Sequence, residues 1–543
     1  MKRFKLFLAM AALACAIGLT VKYGSTYRPV VEPVREIEEI WALEDARKES
    51  EEPLVTRLFC NGIPMAYDAE NNVFYGSLGL ENGAKWPEIK LTASEETAKG
   101  LSLCFADDYG FDDCDAAIRE GYSYQIFAYT DTAYSYAEVV FTGLPLVNVT
   151  AEQTIEREDV PAQIEIALAA EGLQTNGRIH KRGGASILND KVGYKLEFTR
   201  TTDGKKKIYR EIPGMGTDSQ VILLPMNALD TTMMRDRLSW ALYARLTRQD
   251  EPFSARKTQY CELFLNGEYR GVYLMLEPFS VRQEVAKAGE ERLTTDSVYR
   301  TAVISLSHGR PCMEDPYSAA TGFELYYPMD GEPDFSPLAD YFALLGETDD
   351  AAFMRRAAQI IDLDSALRYD VVLQLFGLTD NVINNMYTWA QNSRGHTRYR
   401  FDFWDLDVSW GLKRDEIGEM HENWVFFPLV DRLLRADEEG GVRKRYGEIY
   451  REVREKAFDT ETVEALVGQY AHELNDSGAM ARNAERWETE NYAADGYELV
   501  AFAAERIALL DEPVRAMSAG EEIDLRFLEK TNYDDKGTPL SEE

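Results

Sequence analysis

Between residues 57 and 149 the chain is built from short runs in which apolar and polar positions alternate. Runs at 57–60, 73–75, 88–91, 101–104, 124–127 and 137–141 follow this period, and Asn61-Gly62, Glu81-Asn82-Gly83 and Asp108-Tyr109-Gly110 separate them as turns. The spacing predicts a small β-rich domain. Before it, residues 29–54 are dense in Glu and Arg around Val34, Ile37, Ile40, Trp41 and Leu43, which reads as a charged linker or a short amphipathic helix. After it, a strand at 164–169 leads into His180-Lys181-Arg182-Gly183-Gly184-Ala185-Ser186, and Tyr194, Leu196 and Phe198 then alternate with Lys195 and Glu197. Asp230 is placed to cap a helix over 231–246, where Met234, Leu238, Ala241, Leu242 and Arg245 recur at three and four. Two β-prone runs, 260–265 and 268–276, flank Asn266-Gly267 and predict a hairpin. Beyond Asp330 the period becomes helical. Asp364 is a candidate cap for a helix at 366–377, residues 399–404 alternate as a strand, and 428–512 return to helix before a polar tail.

The first residues carry a different pattern: a short basic start, Met1 to Lys5, then an apolar run from Leu6 to Val21. This is the layout of a signal sequence, cleaved or retained as an anchor, and predicts an exported or membrane-anchored chain. The 543 residues, 45% of them hydrophobic and 28% charged, exceed what one ordinary core accommodates. With 94 acidic against 59 basic side chains the formal charge is −35, which argues against a nucleic-acid partner. Cys15, Cys60, Cys104, Cys114, Cys261 and Cys312 form no CxxC pair, so a zinc ribbon or thioredoxin-like centre is excluded; Cys104 with Cys114 is the most plausible local disulfide.

Two acidic clusters stand at the ends of expected elements, where side chains can face a cleft. One runs from Asp380 through Asn381, Asn384 and Asn385, and the other is Asp405-Leu406-Asp407. An Asp followed five residues later by an Asn, then an Asp after a strand, is an arrangement by which a phosphotransferase orients a hydroxyl and holds its metal. Asp380 then accepts the nucleophile's proton, while Asn385, Asp405 and Asp407 supply hard oxygen ligands for Mg²⁺ or Mn²⁺. Gly183 between Arg182 and Ser186 suits a turn close to phosphates, and Lys195 supplies a point charge. A solvated loop and a surface lysine explain each piece separately as well. Paired carboxylates also serve glycoside hydrolysis, and Trp389, Trp404, Trp410 and Trp424 keep carbohydrate processing open as a third option. His180, His308, His396, His421 and His472 are dispersed, and no GxSxG occurs.

Taken together, 181–186, 193–198, 230–235, the LNGEYRGVYL run at 265–274 with its preceding Leu263 and Phe264, 380–387 and the DLDVSWG run at 405–411 resemble the CotH kinase family, the spore-coat protein H family. The resemblance implies an α+β chain with a divergent protein-kinase-like domain preceded by a small β-rich domain. It implies ATP and Mg²⁺ or Mn²⁺ as cofactors and an exported or cell-surface protein as the Ser/Thr substrate. Asp380 takes the catalytic place, Asn385, Asp405 and Asp407 the metal places, and Arg182, Gly183, Ser186 and Lys195 the nucleotide places, with Lys191 an alternative to Lys195. Glu277 helps to bound the nucleotide cleft. The family's usual Arg-Gly-Asn-Ser-Ser is Arg182-Gly183-Gly184-Ala185-Ser186 here, which removes an amide and a hydroxyl. The organisation expected is a signal or anchor at 1–28, a charged linker at 29–54, a β-rich domain at 55–150, a kinase-like domain at 151–430, its helical continuation at 431–530 and a tail at 531–543. The leading expectation is an ATP-dependent protein kinase; the alternative is an inactive scaffold or binding protein of the cell envelope or spore coat.

Overall fold

The computed structural model describes residues 29–86, 88–94, 100–106, 113–183, 185–226, 230–246, 255–279, 296–301, 322–328, 334–393, 396–412 and 424–521. The signal-like segment 1–28, the tail 531–543, Cys15, Cys312, His308, His421 and the expected turn at 108–110 lie outside them. The architecture is mixed α+β, β-rich in the N-terminal region and helical in the C-terminal region. It divides into two compact units: Met1–Gln220 with Tyr260–Tyr273 and Glu473–Tyr492, and Val221–Gln259 with Leu274–His472 and Ala493–Glu543.

In the first unit the strands run in the order Val31–Glu32, Ser102–Phe105, Ser123–Tyr129, Ala133–Thr142, Val73–Ser77 and Ala66–Asp68, with Lys48–Glu49 beside Ala133–Thr142. Residues of the expected linker thus contribute two strands and the helix Ile37–Asp45, whose Ile40 is buried. A second sheet holds Ile63–Pro64, Leu58–Cys60 and Leu91–Ala93. Leu58, Phe74, Trp86, Leu91, Leu103, Tyr124, Ile126 and Phe141 belong to the core of these strands. Cys60, Cys104, Cys114 and Cys261 are separate buried thiols, so the expected Cys104–Cys114 disulfide is absent.

Further along the same unit, Leu146–Thr150, Val160–Leu168, Glu171–Arg182 and Gly193–Thr199 form an antiparallel meander. Leu146–Thr150 pairs in parallel with Thr258–Leu265. The hairpin turn forms as its dipeptide demands: Asn266 and Gly267 have φ of 54° and 79°, the left-handed pair that matches strand twist.

The second unit holds a sheet ordered Phe323–Tyr327, Ser297–Thr301, Met386–Ser393 and His396–Phe403. The helix Leu363–Phe376 lies against this sheet, with Tyr369 stacked on Phe403 at 4.1 Å between ring centroids. Its cap is Asp362, whose side chain accepts the Ser365 amide at 3.2 Å. Asp364, the cap expected from sequence, instead pairs with Arg445. Gly377, at φ 66°, ends the helix in the left-handed conformation that glycine adopts without steric cost. Among the described residues no helix is long and apolar enough to cross a membrane.

Candidate acidic centre

The segment that follows the Leu363–Phe376 helix and the residue that follows the His396–Phe403 strand are tied together by the Asn381 amide. Asn381 Nδ2 donates to Trp404 O at 2.7 Å and to Asn385 O at 3.4 Å, and Tyr369 donates its hydroxyl to Asn381 O at 2.7 Å. The tie places the 380–385 segment beside the backbone that carries Asp405. Asp380 opens the one-turn helix Asp380–Ile383 and is buried. Its two oxygens accept from Asn384 Nδ2 at 3.1 Å and Asn385 Nδ2 at 2.8 Å. The Asn385 backbone N–H is held by Thr301 O at 3.1 Å, and Asp405 is within electrostatic reach of Arg300. Asn385 and Asp405 both sit at φ 58°. This conformation costs an L residue about 1–2 kcal/mol and persists where surrounding contacts over-determine it.

The strand ends at Phe403, so Asp405 and Asp407 stand on a loop rather than on a strand face. Both are half-buried, with fully buried Leu406 between them. A third carboxylate, which the sequence reading missed, faces them from the helix Arg235–Ala244. Asp236 accepts the Leu406 N–H at 3.1 Å, and burial, followed by the charges of Asp407 and Asp405, pushes its carboxyl well above the ordinary range. The helix begins four residues later than the sequence suggests because Asp230 winds the preceding turn itself. It accepts from the Thr232 N–H at 3.2 Å and from the Arg235 N–H at 3.2 Å, while Met233 takes a φ of 58°. Asp236 carried no local signal, since its partner is 170 positions away.

The residues expected to meet phosphates belong mostly to the first unit. Gly183 has φ 128°, and a Cβ there would lie 2.4 Å from Ser186 Oγ, so the turn is tight and needs glycine. Lys195 is half-buried on Gly193–Thr199; burial lowers its pKa, and Lys207 lowers it further. Lys191 donates to Val272 O at 2.7 Å and Asn483 Oδ1 at 2.8 Å, and burial lowers it to about 7. Arg182 is half-buried at the end of Glu171–Arg182. A groove of about 650 Å³ beside this turn carries Glu156 and Glu158 as well as Arg157 and Lys181, a mixed lining. Glu277 lies in the second unit and accepts the Lys257 N–H at 3.2 Å. Trp389, Trp404, Trp410 and Trp424 are all buried, so they offer no stacking platform for a sugar.

Among the described residues no three His, Cys, Asp or Glu side chains are grouped as metal ligands. The set expected here has a different make-up, two carboxylates and one amide, and its hard oxygens suit Mg²⁺ or Mn²⁺.

A comparison with curated proteins returns no match. The family described as CotH kinase protein matches residues 179–510, a span that takes in the Gly183 turn, the hairpin and the acidic centre. Because that span is more than half of the chain, the protein belongs to the CotH kinase protein family.

Proposed function

We propose that this chain works as a binding or scaffold component of an exported or cell-surface assembly. In this reading its kinase-like domain retains a carboxylate centre while Lys191 serves the fold. The observation that carries it is the placement of that lysine, whose amine donates to Val272 O at 2.7 Å and to Asn483 Oδ1 at 2.8 Å and so spends two of its donors within the fold. The partner in this reading is a cell-surface protein. Calorimetry of ATP with Mn²⁺ should give no saturable heat, and labelled γ-phosphate should appear on neither the chain nor an added Ser/Thr acceptor. Transfer that is lost in both Asp380→Ala and Asp405→Ala would overturn the scaffold reading.

A second reading, ATP-dependent phosphotransfer to Ser/Thr of an exported protein, is supported by the Asp380–Asn385 bond and by the Asn381 bond to Trp404 O, next to Asp405. In it Asp380 takes the proton of the acceptor hydroxyl, and Asn385 keeps that carboxylate oriented through their 2.8 Å bond. Asp405, Asp407 and the Asn385 side-chain oxygen would hold Mg²⁺ or Mn²⁺, whose contribution when bound is to neutralise charge on the transferred group.

A further inference from the structure

The geometry points to Asp236 as a positioning residue of the acidic centre, holding the Leu406 amide so that Asp405 and Asp407 are presented together to a hard divalent cation. The inference rests on the centre being a cation site, which a scaffold and a transferase can share.

The helix Arg235–Ala244 grips the following loop at three points. Asp236 Oδ1 accepts the Leu406 N–H at 3.1 Å, Arg235 Nε–H donates to Ser409 O at 3.1 Å, and Ser239 Oγ accepts the Trp410 indole N–H at 2.8 Å. Arg235 is itself fixed by Asp230 and Glu498. The loop needs such a grip because Asp405, Trp410 and Gly411 all take left-handed backbone, at φ 58°, 53° and 77°. Inside the loop Ser409 Oγ donates to Leu406 O at 2.6 Å, so the Leu406 peptide is fastened through its N–H by Asp236 and its own carbonyl by Ser409. Leu406 is buried and Asp405 and Asp407 on either side of it are half-buried, so the fastened peptide fixes the backbone from which both carboxylates extend. A buried acceptor that orients ligand-bearing backbone, without being a ligand, is how outer-shell groups govern metal affinity.

The test is Mn²⁺ binding by calorimetry on the full chain, paired with hydrogen exchange of the peptide spanning 404–412 in metal-free protein. Asp236→Ala removes the acceptor; Mn²⁺ affinity should fall by about tenfold or more and the Leu406 amide should exchange faster. Asp236→Asn keeps an oxygen for the same N–H and should restore both readouts to near wild type. A purely structural role would move the exchange and leave the affinity unchanged, which overturns the inference. An Asp236→Asn loss as large as that of Asp236→Ala also overturns it, because charge and not the hydrogen bond would then be at work. Should Asp236→Ala fail to fold, Ser239→Ala loosens the other end of the loop and should weaken Mn²⁺ in the same direction; unchanged affinity there counts against the proposal. Wild-type protein without Mn²⁺ uptake that Asp405→Asn abolishes would remove the cation site itself. That outcome is distinct from uptake indifferent to Asp236.

Discussion

At Lys191 a positive charge is held by a carbonyl, an amide oxygen and the face of Tyr273, 5.1 Å from its ring centroid. None of these acceptors is a carboxylate, so little offsets the cost of burial, and the amine falls from 10.5 to about 7. The unfolded chain therefore holds this proton more tightly than the folded one. Between about pH 7 and pH 10.5 the unfolded state binds more protons at this site, and folding stability rises with pH by up to about 1.4 kcal/mol per unit from this group. Below about 7 the group is protonated in both states and its slope vanishes. Urea unfolding from pH 7 to 9 should give a steeper rise for the wild-type chain than for Lys191→Met. Parallel lines would show that the amine titrates normally. The same residue marks a limit of sequence reading: Lys191 and Lys195 flank one motif and are indistinguishable by type. Only the three-dimensional partners separate the two: both are half-buried, and Lys191 is the one whose amine is bonded to Val272 O and Asn483 Oδ1.

The hairpin Thr258–Leu265 and Glu268–Leu276 turns on local chemistry, which is why Asn266-Gly267 announced it without help from the rest of the chain. Gly271, five residues on, is governed by something remote. Its φ is +83°, and a Cβ would stand 2.4 Å from Asn483 Oδ1 and 2.8 Å from Trp487 Nε1. Gly271→Ala combines a disfavoured backbone with a collision against the helix Ala479–Trp487, and should cost roughly 2–4 kcal/mol in denaturant unfolding. A loss under about 0.5 kcal/mol would mean that the helix gives way freely. Elements were legible where short-range signals set them, as with the spacing of Asp380 and Asn385 or the alternation up to Phe403. They were misplaced where a side chain chose among neighbouring options. Asp230 spends its carboxylate on a turn and delays the helix to Arg235, and Asp362 takes the cap that Asp364 seemed to offer. Asp236 was illegible because nothing nearby in sequence marks a residue whose partner lies across the fold.

Across the whole molecule, the first unit depends on a segment near the other end of the chain. Glu262 is buried and accepts from Arg482 Nε and Nη2 at 2.9 and 2.8 Å, with the Tyr269 hydroxyl at 2.6 Å completing the site. Arg482 holds the Glu262 carboxyl ionised against burial, so removing the arginine leaves a buried charge without its partner, a loss of about 3–5 kcal/mol. Thr142 Oγ1 donates to Ser477 O at 3.2 Å in the same region. A chain ended at residue 472 should therefore lack a stable first unit. Hydrogen exchange over 142–150 and 258–265 should be fast in that fragment and slow in the full chain; equal protection would show that 473–492 is dispensable.

The return of residues 473–492 also sets a timetable. A ribosome or export channel delivers the N-terminus first, yet the contacts that finish the first unit span 335 positions from Thr142 to Ser477 and 292 from Lys191 to Asn483. Such contact order makes closure slow, because a long loop must lose its freedom before any reward is gained. Buried groups of the early region, Glu262 and Lys191 among them, therefore wait without their partners until almost the entire polypeptide has emerged, and the interval invites misfolding. Whatever shields those groups during that wait governs the yield of this protein as much as its final stability does.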